Sequence, residues 1–128
     1  MDTSDAYINM SGKAKEIQFA HSNYEAGDFY YEGRDGVTGQ SLFFIAPETA
    51  VGKPRTVADM KTWLPRQDQL QAMVGDYAVQ STLLYRYLMK ETIWPDPEIS
   101  SLEQLWLIIV MKEIYFKVWK GQDWVKAK

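Results

Sequence analysis

The polar residues best placed for chemistry in this sequence form one run, Arg66-Gln67-Asp68-Gln69. The run follows Pro65, which suits the first helical position because its φ is already helical and it has no N–H that would need a partner. The free N–H groups of a first helical turn can hold an anion, and Arg66 can add a bidentate contact to a phosphate or carboxylate. The run therefore predicts an anion site. The alternative is that Asp68 satisfies the helix start while its neighbours face solvent.

Most groupings that enzymatic or metal chemistry requires are missing from the sequence. The chain has no cysteine, which excludes disulfides, thiolate catalysis and cysteine-based zinc sites. His21 is the single histidine and has no nucleophile pattern around it, so we expect a solvated histidine at a helix end. No serine lies in a Gly-x-Ser-x-Gly elbow. We therefore predict a non-enzymatic protein with no catalytic residues, cofactor or metal.

Two further segments resemble ligand loops only superficially. The stretch from Gly33 to Gly39 is glycine-rich, but it lacks the Lys-Ser/Thr pair of a phosphate-binding loop. We interpret it as a hairpin connector. Asp96, Glu98 and Glu103 lack the spacing of a calcium loop.

Aromatic residues give the strongest indication of function. Five Trp, eight Tyr and five Phe exceed what a core of this size needs. We expect Trp63, Trp106 and Trp119 to lie inside. The candidates for the surface are Tyr30, Tyr31, Tyr85, Trp94 and Trp124. Such side chains form binding hot spots because they bury a large area at low entropic cost. They predict a protein or ligand interface, unless most of them belong to the core.

Composition narrows the class of protein. A chain of 128 residues with 46% hydrophobic residues predicts a single globular domain spanning residues 1–128. A net charge of -3 argues against a nucleic-acid-binding face. The uncharged apolar stretch Leu105 to Met111 is far shorter than the roughly 20 residues of a membrane span. The polar, acidic start Met1 to Asp5 predicts no signal peptide, so we expect a cytoplasmic protein.

The last quarter of the chain predicts a central helix. Ser100 with Glu103, or Ser101 with Gln104, fits a capping box, and Gly121 suits the position just after a helix. The segment between them leaves almost no face for water. The tail after Gly121 is expected to add a short strand or to pack Trp124 back on the fold.

The preceding segments alternate between helical and strand patterns. A helical stripe from Asp5 to Ala20 predicts an N-terminal helix. Aromatic runs at Phe29–Tyr31 and Ser41–Ala46 predict a hairpin, and Val57–Leu64 could supply a third strand. Helices are predicted after Pro65 and over Tyr77–Glu91, the latter capped by Asp76. The predicted fold is α+β: an N-terminal helix, a small antiparallel sheet of two or three strands, and three C-terminal helices with the last one central.

Two strings carry a family resemblance: Trp63-Leu64-Pro65-Arg66-Gln67-Asp68-Gln69-Leu70, and Leu102-Glu103-Gln104-Leu105-Trp106-Leu107. With Lys13–Gln18 and Gly27–Tyr30, they resemble a group of small proteins of bacteriophages and prophages of Gram-positive bacteria. The loop from Glu48 to Asp59 matches least well. That group has no assigned activity, so the resemblance implies a phage or prophage setting and transfers no catalytic residue.

These observations support two hypotheses of different classes. The first is a non-enzymatic phage or prophage accessory protein that binds a host or phage protein through an aromatic-rich surface. Inhibition of a host defence system is one specific form, and self-association is a further option. The second is a small-molecule or nucleotide-binding protein that sequesters its ligand at the helix N-terminus near Arg66.

Overall fold

The computed structural model describes residues 1–55, 61–89 and 99–127. Its helices are α1 Asp5–Lys13, α2 Lys15–Ala20, α3 Gln67–Val74, α4 Tyr77–Met89 and α5 Leu102–Tyr115. Its strands are β1 Phe29–Arg34, β2 Ser41–Ile45, β3 Thr62–Trp63, β4 Lys117–Trp119 and β5 Trp124–Lys126. A 3-10 turn covers Glu48–Ala50. The fold is α+β, as the sequence predicts.

The larger sheet is antiparallel, with strand order β2-β1-β3. Tyr30 of β1 pairs with Phe44 on one side and with Trp63 on the other. The predicted hairpin is confirmed, with a bulge in β1 between Tyr31 and Gly33. The third strand is present but covers only Thr62 and Trp63; residues 57–60 of its predicted range lie outside the described residues.

Helix α5 is the centre of the core, as predicted. Every residue from Gln104 to Met111 is buried, because α1, α3 and α4 all contact this helix. Trp63, Trp106 and Trp119 are buried as well. None of the described helices combines the length and apolar character needed to cross a membrane.

The ends of α5 confirm one prediction and correct two. The Ser101 hydroxyl accepts a hydrogen bond from the Gln104 N–H at 3.1 Å, so Ser101 is the N-cap, as the second proposed capping box requires. The return bond of that box goes to a neighbour, because Gln104 Oε1 accepts from the Ser100 N–H at 3.2 Å. The first proposed box does not form, because the Glu103 carboxylate instead accepts from the Asp2 N–H at 3.0 Å. The predicted end at Gly121 is wrong, since the helix stops at Tyr115 and Phe116 is left-handed with φ 57°.

The residues after Phe116 leave the helix because they form a hairpin. Strands β4 and β5 pair antiparallel, with Val118 opposite Val125 and Trp119 opposite Trp124. Gly121, with φ +86°, lies in the connection between them. The expected short terminal strand and the packing of Trp124 onto the fold are both confirmed.

The N-terminal helix is interrupted. A helix over roughly Asp5 to Ala20 was expected, with Gly12 as a weak point that could delay its start to Ser11. The helix instead begins at Asp5 and runs through Gly12, and Ala14, with φ -79° and ψ 72°, separates α1 from α2. Tyr7, Met10, Ala14 and Ile17 are nevertheless all buried, so the predicted apolar stripe is correct.

Helices α3 and α4 begin close to the predicted positions. Arg66 is the N-cap of α3, so Pro65 precedes the cap and does not occupy the first helical position. Gln69 Oε1 accepts from the Arg66 N–H at 2.9 Å. At α4, Asp76 Oδ1 accepts from the Val79 N–H at 3.1 Å, as predicted. The predicted end of α4 at Glu91 lies outside the described residues.

Candidate functional site

A buried carboxylate organises the polar residues between α2, β1 and α3. Asp28 is fully buried and interacts with four groups. His21 Nε2 lies 2.5 Å from Oδ2, which also accepts from the Glu25 N–H at 2.8 Å and the Tyr30 hydroxyl at 2.9 Å. Gln69 Nε2 donates to Oδ1 at 2.9 Å. We call these five residues the Asp28 cluster.

The donors explain how the carboxylate tolerates burial. Desolvation alone raises the pKa of Asp28, but the hydrogen bond from His21 opposes it. Together with those from the Glu25 N–H, Gln69 and Tyr30, it holds the pKa of Asp28 below its ordinary value. Burial raises the pKa of Tyr30, and the hydrogen bond to Asp28 raises it further. Asp28 is therefore anionic at neutral pH while Tyr30 stays protonated and donates.

The environment of His21 corrects a sequence-based prediction. His21 follows α2, as expected of a helix-end residue, but its side chain is only 10% exposed. Its ring stacks on Trp63 with centroids 3.7 Å apart and planes 7° apart. The prediction of a solvated histidine is wrong because Asp28 and Trp63 are not on the same helical turn as His21. The fold brings them into contact with its ring.

Three residues of the cluster have the side chains of a metal site. Ligand atoms of His21, Glu25 and Asp28 all lie within 4.8 Å of one another. Asp28 Oδ2, the oxygen that contacts His21 and the Glu25 N–H, already interacts with three donors, so its two lone-pair sites are used. Oδ1 accepts from Gln69. The remaining pair, His21 Nδ1 and Glu25 Oε2 at 3.9 Å, is fewer than the three or more protein ligands that zinc sites use. The donor set therefore fits a structural cluster better than a metal centre.

The Asp–His pair also resembles half of a catalytic triad. In such triads the second imidazole nitrogen faces a nucleophile or substrate proton. Here Nδ1 of His21 faces the carboxylate of Glu25. The pair therefore fixes the imidazole orientation, and its free side points to an anion instead of a nucleophile.

The predicted anion-binding run belongs to the same region. The guanidinium of Arg66 contacts Asp68 Oδ1 at 3.0 Å and donates to the Gly27 carbonyl at 2.6 Å. Gln69 is committed to Asp28, and Gln67 is half-buried in the first turn of α3. An incoming phosphate would have to displace Asp68 from Arg66. The anion site stays a prediction.

Gly27 makes this arrangement possible. Its φ is +79°, a conformation that L side chains rarely adopt, and a Cβ there would lie 3.1 Å from Arg66 Nη1. The turn at Gly27 thus brings its carbonyl to Arg66 and places Asp28 beside Gln69.

The aromatic candidates divide sharply. The expectation that Tyr30 and Trp124 lie on the surface is wrong, because both are buried. Tyr30 lies on the central strand facing the core, and Trp124 Nε1 donates to the Met10 carbonyl at 2.9 Å. Tyr31 is half-buried against Phe43. Tyr85 is 68% exposed, as predicted. Trp94 lies outside the described residues.

Helix α4 carries an apolar surface of which only Tyr85 was expected from the sequence. Of its 13 residues, Leu83 and Tyr87 are buried. The large apolar side chains on its outer side are exposed, led by Tyr77 at 82%. We define the α4 surface as Tyr77, Tyr85, Leu88 and Met89.

The α4 surface is unusual because it contains no charge. A helix on the surface of a soluble protein normally turns charged and polar residues outward. Arg86 is the single charged residue within α4. A shallow cavity of about 250 Å³ runs beside it, lined by Ala78, Val79, Thr82, Leu83 and Arg86. The near-absence of charge from Tyr77 to Met89 was the signal available in the sequence.

No protein-family model, curated protein or solved structure matches this chain. The Asp28 cluster and the α4 surface are therefore the regions from which function can be inferred.

Proposed function

We propose that the protein is a non-enzymatic binding protein that engages a partner protein through the α4 surface. One observation carries the proposal: a helix with exposed Tyr77, Tyr85, Leu88 and Met89 has no charge on its outer side. An apolar helix face of this kind is normally buried. The partner supplies that burial.

The geometry favours a particular mode of recognition. An exposed helix binds by laying its apolar face into a hydrophobic groove. Tyr85 and Leu88 lie one turn apart, and Met89 is adjacent. Fully burying a Leu or Met side chain contributes about 1.5–3 kcal/mol, and tyrosine is enriched among hot spots. The partner is therefore a protein with an apolar groove that matches α4.

The setting follows from the sequence resemblance. It supports a phage or prophage accessory protein acting on a host or phage protein in the bacterial cytoplasm. Inhibition of a host defence system is the specific form of this proposal. Binding alone accounts for such an action, with no cofactor or catalytic step.

The test is affinity capture from lysates of a Gram-positive host, with and without phage infection. The baits are the native protein, a Tyr85→Ser/Leu88→Ser variant, and a Phe19→Ser control. Phe19 is 75% exposed on α2. Its replacement also converts an exposed apolar side chain to serine, but on a helix outside the α4 surface. We expect one stoichiometric protein on the native and control baits and its loss from the α4 variant.

The captured protein is then titrated directly. Loss of a hot spot worth about 2 kcal/mol weakens binding about 30-fold. Equal affinity of the α4 variant and the native protein would contradict the proposal, as would the absence of any stoichiometric partner. A circular dichroism melt of each bait confirms that the substitutions leave the fold intact.

A further inference from the structure

Strand β2 is an edge strand of the larger sheet. Among residues 1–55, 61–89 and 99–127, the strand order β2-β1-β3 leaves one side of β2 without a neighbouring strand. The strand reads Ser41-Leu42-Phe43-Phe44-Ile45 and has no charged residue or proline. Edge strands of monomeric proteins are usually protected by such residues. Strand β2 lacks that protection.

Hydrogen bonding fixes which backbone groups point outward. The Ala46 N–H donates to the Asp28 carbonyl at 2.9 Å, so Ala46 faces β1. In an antiparallel pair the orientation alternates along the strand. Phe44 therefore also faces β1, whereas Phe43 and Ile45 turn their N–H and C=O groups outward.

The opposite side of β1 gives an independent check of this alternation. Phe29 lies opposite Ile45, and its carbonyl accepts from the Leu64 N–H at 2.8 Å, away from β2. The pair Phe29–Ile45 is thus not hydrogen-bonded across β1 and β2. The outward residues of β2 are Ser41, Phe43 and Ile45, and within the described ranges their outward backbone groups bond to no other residue.

We propose that β2 is a homodimerisation edge that pairs antiparallel with β2 of a second copy of this chain. A twofold axis at Phe43 places Phe43 opposite Phe43 of the second copy. It also places Ser41 opposite Ile45 in both directions. Every outward residue then meets an outward residue, and three such pairs exchange about six backbone hydrogen bonds.

The strand is suited to pairing with itself in two further ways. Since β2 is uncharged, the twofold axis brings no like charges together. The pairing also has a defined end. The next outward position after Ile45 is Pro47, which has no N–H to donate and so stops the ladder. The aromatic stack of Phe29 and Phe43, with centroids 5.3 Å apart, continues across the axis and joins the two sheets.

The expected dimer is concentration-dependent. A pairing of five residues covers less than the roughly 1,600 Å² of a standard stable interface. We therefore expect monomer and dimer to exchange, with the dimer fraction rising as protein concentration rises. Sedimentation velocity of the native protein over a wide concentration range measures this directly.

A register-specific crosslink provides the sharper test. The native chain has no cysteine, so a single substitution gives one reactive thiol. Phe43→Cys places two thiols opposite each other with Cα atoms about 5.5 Å apart, inside the range of about 4.4–6.8 Å that a disulfide spans. The matched control is Ile45→Cys, on the same face and edge, whose two copies would lie about 14 Å apart at about 3.4 Å per residue.

We expect Phe43→Cys to form a covalent dimer under mild oxidation and Ile45→Cys to form far less in the same time. Equal crosslinking of the two variants would overturn the register, and a native protein that remains monomeric at its highest soluble concentration would overturn the dimer. A monomer whose β2 binds an extended peptide would also overturn it. The Tyr85→Ser/Leu88→Ser variant should dimerise normally, so failure here is separate from failure of the α4 proposal.

Discussion

The Asp28 cluster and the α4 surface are opposites in chemistry and in what they leave unsatisfied. The cluster contains a carboxylate, an imidazole and a phenol, the groups that catalysis uses, and joins them to one another in a buried site. The α4 surface contains the tyrosine, leucine and methionine typical of a core, and exposes them to solvent.

This contrast shows why residue type alone misleads. A buried charge must be paired within the chain because desolvation is costly. Four partners meet that need at Asp28, so little capacity remains for a ligand. The α4 surface stays exposed in the part of the chain that the structure describes, and exposed apolar patches are typical of interaction sites. We therefore base the proposed binding site on unsatisfied interactions and not on reactive side chains.

The largest expected effect concerns Asp28. Asp28→Asn removes the anion that pairs with His21. It also replaces one carboxylate oxygen with an NH2 group, which faces hydrogen-bond donors and leaves them without an acceptor. Loss of one partner of a buried pair typically destabilises by about 3–5 kcal/mol. Denaturant unfolding measures the change. The control is Asp35→Asn, because Asp35 also has a lowered pKa but lies in the exposed hairpin connector; a similar loss in both variants would contradict the special role of Asp28.

The same variant tests a pH dependence. The folded-state pKa of Asp28 lies below its ordinary value of 3.8, so ionised Asp28 contributes stability above that pH. The contribution falls as the pH drops from about 3.8 through the folded-state pKa. Unfolding free energies at a series of acidic pH values should decrease in the native protein and decrease less in Asp28→Asn. Identical slopes would exclude a contribution from Asp28.

A smaller effect is expected for Tyr30→Phe. It removes one donor to Asp28, and hydrogen bonds to charged groups contribute about 1.5–3 kcal/mol. Because the remaining donors stabilise the anion less well, the pKa of Asp28 should rise toward its ordinary value. The acid loss of stability runs from about pH 3.8 down to the folded-state pKa, so it should be smaller in this variant and should be complete at a higher pH. Tyr31→Phe, on the half-buried outer face of the same strand, is the matched control and should leave the acid limb unchanged.

The sequence predicted elements better than it predicted partners. Local signals located the Ser101 cap, the hairpin around Gly33–Gly39, and the start of α4 at Asp76 because the residues that decide them are adjacent. The pairing of Trp119 with Trp124 overrode the helical pattern that continued past Tyr115. The burial of Tyr30 was missed because it depends on β1 lying between two strands.

The candidate site shows the same limit. Arg66 and Gln69 were recognised as polar residues at a helix start. Their partners, Gly27 and Asp28, lie about 40 positions earlier, and no local pattern connects them. The sequence predicts a solvated His21 because no local pattern indicates its contacts with Asp28 and Trp63.

The smallest expected effect tests whether α4 is truly uncovered. Leu88 is 56% exposed and Leu83 is 6% exposed on the same helix. Leu88→Ala should change the unfolding free energy by no more than about 0.5 kcal/mol, because water already contacts the side chain. Leu83→Ala removes packed core atoms and should cost about 2–5 kcal/mol. If denaturant unfolding showed equal losses, residues of this chain would cover Leu88, and α4 would resemble the Asp28 cluster in being satisfied internally.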